Sequence, residues 1–352
     1  MIITDDEKIE LASLLEPVIK RHESTFLGSA FADASCHYAQ WREQYFTHEE
    51  SLFKVHNLLN EWWNDTFYYA EPVLRSISAD GIGWRDSLNR RWIWRGFTNF
   101  LLFKKFLDGE DIIPLIDECK ELGANLVRVL GMCSKITNFN PASYGNRYWT
   151  GLEVFAGILK GSKLYLEFTV FADAQDIIHD INNQKNHFSK AIEVLRVHDN
   201  TFIELVNEYP KNGISPGNFT QPIGINSSQG SNLSDAVGPR PGWTYHTFHG
   251  RRSWPKVLLS SIDPAVFIAR GIDVDNNVTG LPKPFIHDEP IGFAEVNISG
   301  RRSNDPKLAA ELAYDSLKYG GGTFHSESGI RSEPLGPVQK ECARAWFNRM
   351  VI

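Results

Sequence analysis

The chain has 352 residues, 42% of them hydrophobic and 22% charged, enough apolar material for one large globular core. A net charge of −7 excludes a surface built to hold nucleic acid or an anionic membrane, and no run of about 18 apolar residues offers a membrane span. Aromatic residues reach 12%, with ten Trp, a supply that suits either interior packing or flat faces for sugar rings.

In chain order, Met1–Glu10 is acidic and lacks a basic flank before an apolar core, so no signal peptide is expected. Residues 1–75 read as a helical extension. Ile9, Leu11, Leu14, Leu15, Val18 and Ile19 approximate a 3.6-residue period, Thr47 with Glu50 fits a capping box, and Trp62, Trp63, Phe67, Tyr68 and Tyr69 make an aromatic block. Residues 76–92 carry turn signals at Asp80-Gly81 and Leu88-Asn89 and read as a hairpin. Strands then alternate with helices, the pattern of a parallel sheet. The expected strands are Trp92–Asn99, Asn125–Leu130, Leu164–Phe171, Thr201–Val206, Gln221–Asn226, Gly242–Phe248, Pro284–Glu289 and Thr323–Ser326. The expected helices are Glu110–Leu122, Leu152–Leu159, Gln175–Val197, Trp254–Arg270, one from Pro306 to Tyr319 and Pro337–Met350; after the fourth strand there is hardly room for one. The fold class is therefore α/β, a (β/α)8 TIM barrel over residues 76–352 with an N-terminal helical extension. Cys36, Cys119, Cys133 and Cys342 have neither disulfide-framework nor zinc spacing and read as free thiols.

In such a barrel every strand ends on one face, and the chemistry gathers there. Strand four ends in Asn207-Glu208, and strand seven runs from apolar residues into His287-Asp288-Glu289. Two carboxylates brought to one mouth suggest hydrolysis of a glycosidic bond.

The same residues carry a resemblance. From about Ser76 onward the chain resembles the retaining glycoside hydrolases of clan A, the barrels that include the cellulase and mannanase families. The matching pieces are ISADG and NRRWIWRGFTN at the hairpin and first strand, LVRV on strand two, LVNE on strand four, YHTF on strand six and FIHDE on strand seven. The resemblance implies a retaining β-glycosidase with Glu208 as general acid/base and Glu289 as nucleophile. Arg128 is then expected to hold Glu289 ionised, Asn207 to donate to the sugar 2-hydroxyl, and His246 and His325 to stand in the site. Trp149, Tyr209, Trp243, Tyr245 and Trp254 are expected to line the sugar cleft. Three departures stand out: Phe248 where the clan often has Tyr, with Tyr245 or His249 as substitutes; Phe324-His325 where it often has Trp; and the short connection after strand four.

The expected partner is a carbohydrate, with no cofactor and no metal; the sequence leaves the oligomeric state open. Two other readings remain at this point. One is a sugar-binding barrel without catalysis. The other is a metal-dependent barrel hydrolase, suggested by His246, His249, His287, Asp288, Glu289 and His325, although WIWRGFTN on the first strand offers no His or Asp ligand.

Overall fold

The structure, a computed structural model, describes residues 74–209, 211–232, 242–249, 284–295, 302–317 and 320–350. Apart from its last two residues, the expected helical extension lies outside them, as do the expected helix Trp254–Arg270 and Trp254 itself. An antiparallel three-stranded sheet comes first, β1 (Ile77–Asp80), β2 (Gly83–Asp86) and β3 (Arg91–Trp92). The barrel follows: β4 (Trp94–Thr98), β5 (Leu126–Leu130), β6 (Tyr165–Phe171), β7 (Thr201–Val206), β8 (Asn226–Ser228), β9 (Ser231–Asn232), β10 (His246–His249), β11 (Phe285–His287) and, after the outlying pair β12 (Gly292–Phe293) and β13 (Arg302–Ser303), β14 (Gly321–Phe324). The spatial order β8-β7-β6-β5-β4-β14-β11-β10-β9 is parallel throughout. Because β8 and β9 are two halves of one run at the ends of this order, the sheet curls into a nearly closed (β/α)8 TIM barrel.

The helices among the described residues are α1 (Leu102–Leu107), α2 (Ile113–Leu122), α3 (Asn146–Gly161), the single turn α4 (Ala174–Ile177), α5 (Ile181–Leu195), α6 (Pro306–Leu317), α7 (Glu327–Arg331) and α8 (Pro337–Arg349). Their ends follow local chemistry. Asp180 caps α5 by accepting from Asn183 N at 2.9 Å, Gly123 ends α2 at φ 100°, and α8 begins on Pro337. One 3-10 turn, Pro216–Asn218, fills the described part of the connection after β7, in keeping with the lack of room for a helix. Cys119, Cys133 and Cys342 are free and buried.

Two expected strands are displaced. Strand five does not run over Gln221–Asn226 but over Asn226–Ser228, resuming at Ser231–Asn232. Pro222 lacks the N–H a ladder needs, and Gly224 has φ 76°. The break at Gln229-Gly230 brings the chain against β7: a Cβ built on Gly230 would stand 1.8 Å from the Val206 carbonyl oxygen, and φ is +67°. Gly230→Ala therefore combines backbone strain with overpacking and is expected to cost more than about 3 kcal/mol. A urea midpoint within error of the parent would show that the strand break tolerates a side chain.

Strand six is the short β10, beginning at His246 rather than Gly242. Its inward residues are thereby settled. Tyr245, Thr247 and His249 alternate into the barrel, where Tyr245 meets Glu167, Thr247 meets Glu204 and His249 approaches Glu208.

The barrel interior is layered. The floor is apolar: Trp94, Leu126, Tyr165, Phe202, Tyr245 and Ile286 pack with Ile77 and Trp84 of the small sheet. Trp84 lies 5.7 Å from Trp94 and 5.4 Å from Tyr245 between ring centroids. One step up, Arg128, Glu167, Glu204, Thr247 and Thr323 point inward where barrels of this type usually carry branched apolar residues. Arg128 is in register with Glu167, and Glu204 with Thr169. The larger apolar cluster lies between the strands and the helix ring, with Phe103, Phe155, Phe168, Ile203 and Trp346 fully buried.

Candidate active site

Arg128 organises the mouth. Its guanidinium is fully buried; Nε and Nη2 donate to Glu204 Oε2 at 2.9 and 2.7 Å, Nη1 donates to Glu289 Oε1 at 3.0 Å, and Nη2 also donates to Asn207 Oδ1 at 3.1 Å. Asp288 Oδ2 lies 3.5 Å and Glu167 Oε2 3.8 Å from Nε, and the Phe100 ring is 5.2 Å from the guanidinium carbon. Burial works against this charge, but the attraction of Glu204, Asp288 and Glu167 outweighs it, so the Arg128 pKa stands above its ordinary value.

The carboxylates around it are tied in from several strands. Glu204 Oε2 accepts from Thr169 Oγ1 at 2.6 Å and Oε1 from Thr247 Oγ1 at 2.7 Å. Thr323 Oγ1 donates to Asp288 Oδ1 at 2.9 Å and in turn accepts from Trp94 Nε1 at 3.1 Å. Tyr245 donates to Glu167 Oε1 at 3.1 Å. One guanidinium cannot balance four buried carboxylates, so protons must be retained. Burial, then repulsion from Asp288 and Glu204, raises Glu167 well above the usual carboxylate range. Burial raises Asp288 to about 7 against the pull of Arg128.

A carboxyl raised by folding stabilises the protein below its unfolded value near 3.8, and that contribution is lost as pH climbs through about 7. Asp288→Asn removes the loss. Relative to the parent, the variant is expected to gain on the order of 1.4 kcal/mol per pH unit between about 4 and 7. Urea unfolding of both proteins at pH 5 and pH 8 measures this, and a pH-independent difference contradicts it.

Above this layer stand the two strand-end glutamates. Glu208 follows β7 with φ 53°, a left-handed conformation that costs a non-glycine residue about 1–3 kcal/mol. Its side chain is 26% exposed, that of Glu289 4%. His249 spans them, with Nδ1 3.3 Å from Glu208 Oε1 and Nε2 3.6 Å from Glu289 Oε1. His325 Nε2 lies 3.7 Å from Glu289 Oε2, while its Nδ1 shares a hydrogen bond with Thr98 Oγ1 at 3.1 Å. Lys211 Nζ is 3.3 Å from Glu208 Oε2.

Among the described residues, Glu204, His249 and Asp288 each turn one potential metal-ligand atom to within 4.8 Å of the others. Two of the three already face a cation, since Arg128 bonds Glu204 and approaches Asp288.

No family model matches the sequence, and no curated protein matches it. Solved structures do. A glycoside hydrolase family 5 protein from Bacteroides vulgatus aligns with a TM-score of 0.54 at 14% identity, over 72% of this chain and 62% of that one. A β-glucanase from Saccharophagus degradans in complex with cellotetraose aligns with a TM-score of 0.52 at 10% identity, over 78% and 93%. These likenesses show the fold, a (β/α)8 barrel. This chain spans under two thirds of the Bacteroides protein.

On this barrel, the structure brings Arg128, Asn207, Glu208, Glu289 and His325 together. Several other expected site residues lie elsewhere. His246 is a correction: it points away from the mouth, 3.4 Å from Gln229 Nε2 and edge-on to Phe285. In a strand a one-residue offset moves a side chain to the other face, so His249 holds the place expected for His246. Phe248 likewise faces away, stacked on His287 at 4.6 Å. Tyr245, expected in the cleft, is fully buried in the floor. Trp243 is 3% exposed and packs toward Phe188 of α5, outside the strands. Tyr209 is 5% exposed within the large apolar cluster. Trp149, on α3, lines a groove with α5 instead of the mouth. Sequence reasoning missed Glu204 and Glu167, and took Asp288 only as a candidate metal ligand. The readable signal for the two glutamates was the single charge inside each of the apolar runs YLEFTVF and TFIELV.

Proposed function

We propose that the protein is a retaining glycoside hydrolase that cuts β-linked glycans by double displacement. The observation that supports it best is the unequal pair at the mouth. One glutamate is partly open to solvent, the other is buried and held by Arg128, and a single imidazole reaches both. A general acid must exchange protons with water between turnovers, which suits Glu208. A nucleophile must be ionised and fixed, which suits Glu289. In this reading Glu208 protonates the glycosidic oxygen as Glu289 attacks the anomeric carbon; Glu208 then takes a proton from water, which displaces Glu289. Asn207 presents its oxygen to Arg128, and this orients the amide nitrogen for donation to a sugar 2-hydroxyl.

The test is incubation with glucan, mannan, xylan and galactan, with product sizing and NMR of the first-formed anomer. Reducing ends of retained configuration are expected, from carboxyls about 5–5.5 Å apart. An inverted first product contradicts the double displacement, and no hydrolysis of any of the four contradicts the reading. Turnover is expected to survive a chelator. Loss with chelator and recovery with zinc would point to the Glu204, His249 and Asp288 donors instead.

A further inference from the structure

A groove of about 600 Å³ lies between α3, α4 and α5, a size ordinary for a small-molecule site. Trp149, Ile177, Ile178, His179, Asp180, Asn183, Asn186, His187 and Lys190 line it, and none of them belongs to the carboxylate cluster. Tyr148 stands between its floor and the barrel: the ring is fully buried, lies 5.7 Å from His187, and its hydroxyl donates to the Gly131 carbonyl just past β5 at 2.8 Å. We propose that this groove is a second carbohydrate site, which holds a stretch of neutral glycan outside the reaction cleft; the choice of glycan as occupant rests on the function proposed above.

The chemistry of the lining points to a sugar. Trp149 is half-buried, edge-on to Tyr148 at 4.7 Å and tilted against His187 at 4.8 Å, so its ring is held in place with part of its surface in the groove. Ile177 and Ile178 extend the apolar surface. A sugar ring has apolar C–H faces and a hydroxyl edge. It needs such a platform with adaptable donors and acceptors beside it. Asn183, Asn186 and His187, and Lys190 are spaced three, four and seven apart on α5 and so share one side of the helix. The Asn183 and Asn186 side chains are exposed at the rim. On the floor, His187 is 8% exposed, and its Nε2 has no hydrogen-bond partner among the described residues.

Charge argues against an anion. Burial pushes His187 down to about 4, so it is neutral at neutral pH. Lys190 is paired with Glu193 at 3.0 Å, and Asp180 adds a negative charge. A phosphate or carboxylate ligand would meet no unpaired lysine or arginine in the lining. Since α3 and α5 follow β5 and β6, their first turns lie at the same end of the barrel as Glu208 and Glu289. A long chain held in the groove would remain on the side of the mouth.

The test compares the parent with Asn183→Ala/Asn186→Ala and with Trp149→Ala by affinity electrophoresis in gels containing glucan, mannan, xylan or galactan. The expected result is retardation of the parent by at least one polysaccharide and a loss of about tenfold or more in apparent affinity in each variant. Turnover of the shortest cleaved oligosaccharide by the double Asn variant should stay within about twofold. Should Trp149→Ala misfold, the Asn variant decides, because its side chains are exposed. Unretarded parent protein overturns the groove, as does unchanged retardation in the Asn variant. An equal fall in short-substrate turnover would make it part of the cleft and also overturn it. If the parent hydrolyses none of the four yet is retarded, and the Asn variant is not, the groove stands and the proposed activity falls.

Discussion

Glu289→Gln is expected to lower kcat on the best glycan by on the order of 10⁴-fold or more, the scale of losing a covalent nucleophile. Glu208→Gln is expected to lose about 10²–10⁴-fold, the scale of losing a general acid. The two differ in a way that fold damage cannot imitate. A leaving group that needs no proton, such as a nitrophenolate, bypasses Glu208 in the first step but still requires Glu289. Glu208→Gln should therefore release a rapid burst of nitrophenol and then stall, whereas Glu289→Gln should release none. Near-parent turnover in either variant, or identical behaviour of both on the aryl glycoside, would remove these assignments.

The second large effect concerns Arg128. Arg128→Met takes away the buried guanidinium at the centre of the cluster and leaves Glu204, Glu289, Asp288 and Glu167 facing one another. Breaking a buried pair by deleting one partner costs about 3–5 kcal/mol. The remaining carboxyls can escape by protonating, so the loss should be smaller at pH 5 than at pH 8. Denaturant unfolding at both pH values measures it. A variant within about 1 kcal/mol of the parent at pH 8 would mean that the carboxyls are already neutral without Arg128. Activity should fall even where the fold survives, because Nη1 and Nη2 also fix Glu289 and Asn207.

How far the sequence was legible depended on how apolar each strand is. β5, β6 and β7 are buried along their whole length and appear as continuous apolar runs, so their limits could be read to within a residue or so. The fifth strand, Asn-Ser-Ser then Ser-Asn, faces polar partners such as Thr247 and carries no hydrophobic signal. On β10 every residue has a plausible inward role, and the alternation of one face against the other could not be phased without the register to β11. The same ambiguity misplaced His246; Tyr245 does face inward, but at the floor, below the mouth. That Glu208 and Glu289 stand at one mouth was legible because they follow strand ends, and strand ends share a face whatever the pairing details. Glu204 and Glu167 were hidden because their role depends on cross-barrel contacts with Arg128 and Tyr245. Trp243 illustrates the limit of composition: an indole beside a strand packs on a helix as readily as it lines a cleft.

The floor of the barrel has a spectroscopic consequence. Trp84, Trp92 and Trp94 form a triangle with centroid separations of 5.7 to 6.1 Å and sit at the end opposite the carboxylates. Indoles so close and so unequally tilted share their excited states and should give a strong near-ultraviolet circular dichroism couplet. That signal reports whether the hairpin has seated in the barrel and should be indifferent to what is bound at the mouth. Trp149 lies apart from this triangle on α3, so the difference in emission between the parent and Trp149→Phe can be followed for events in the groove.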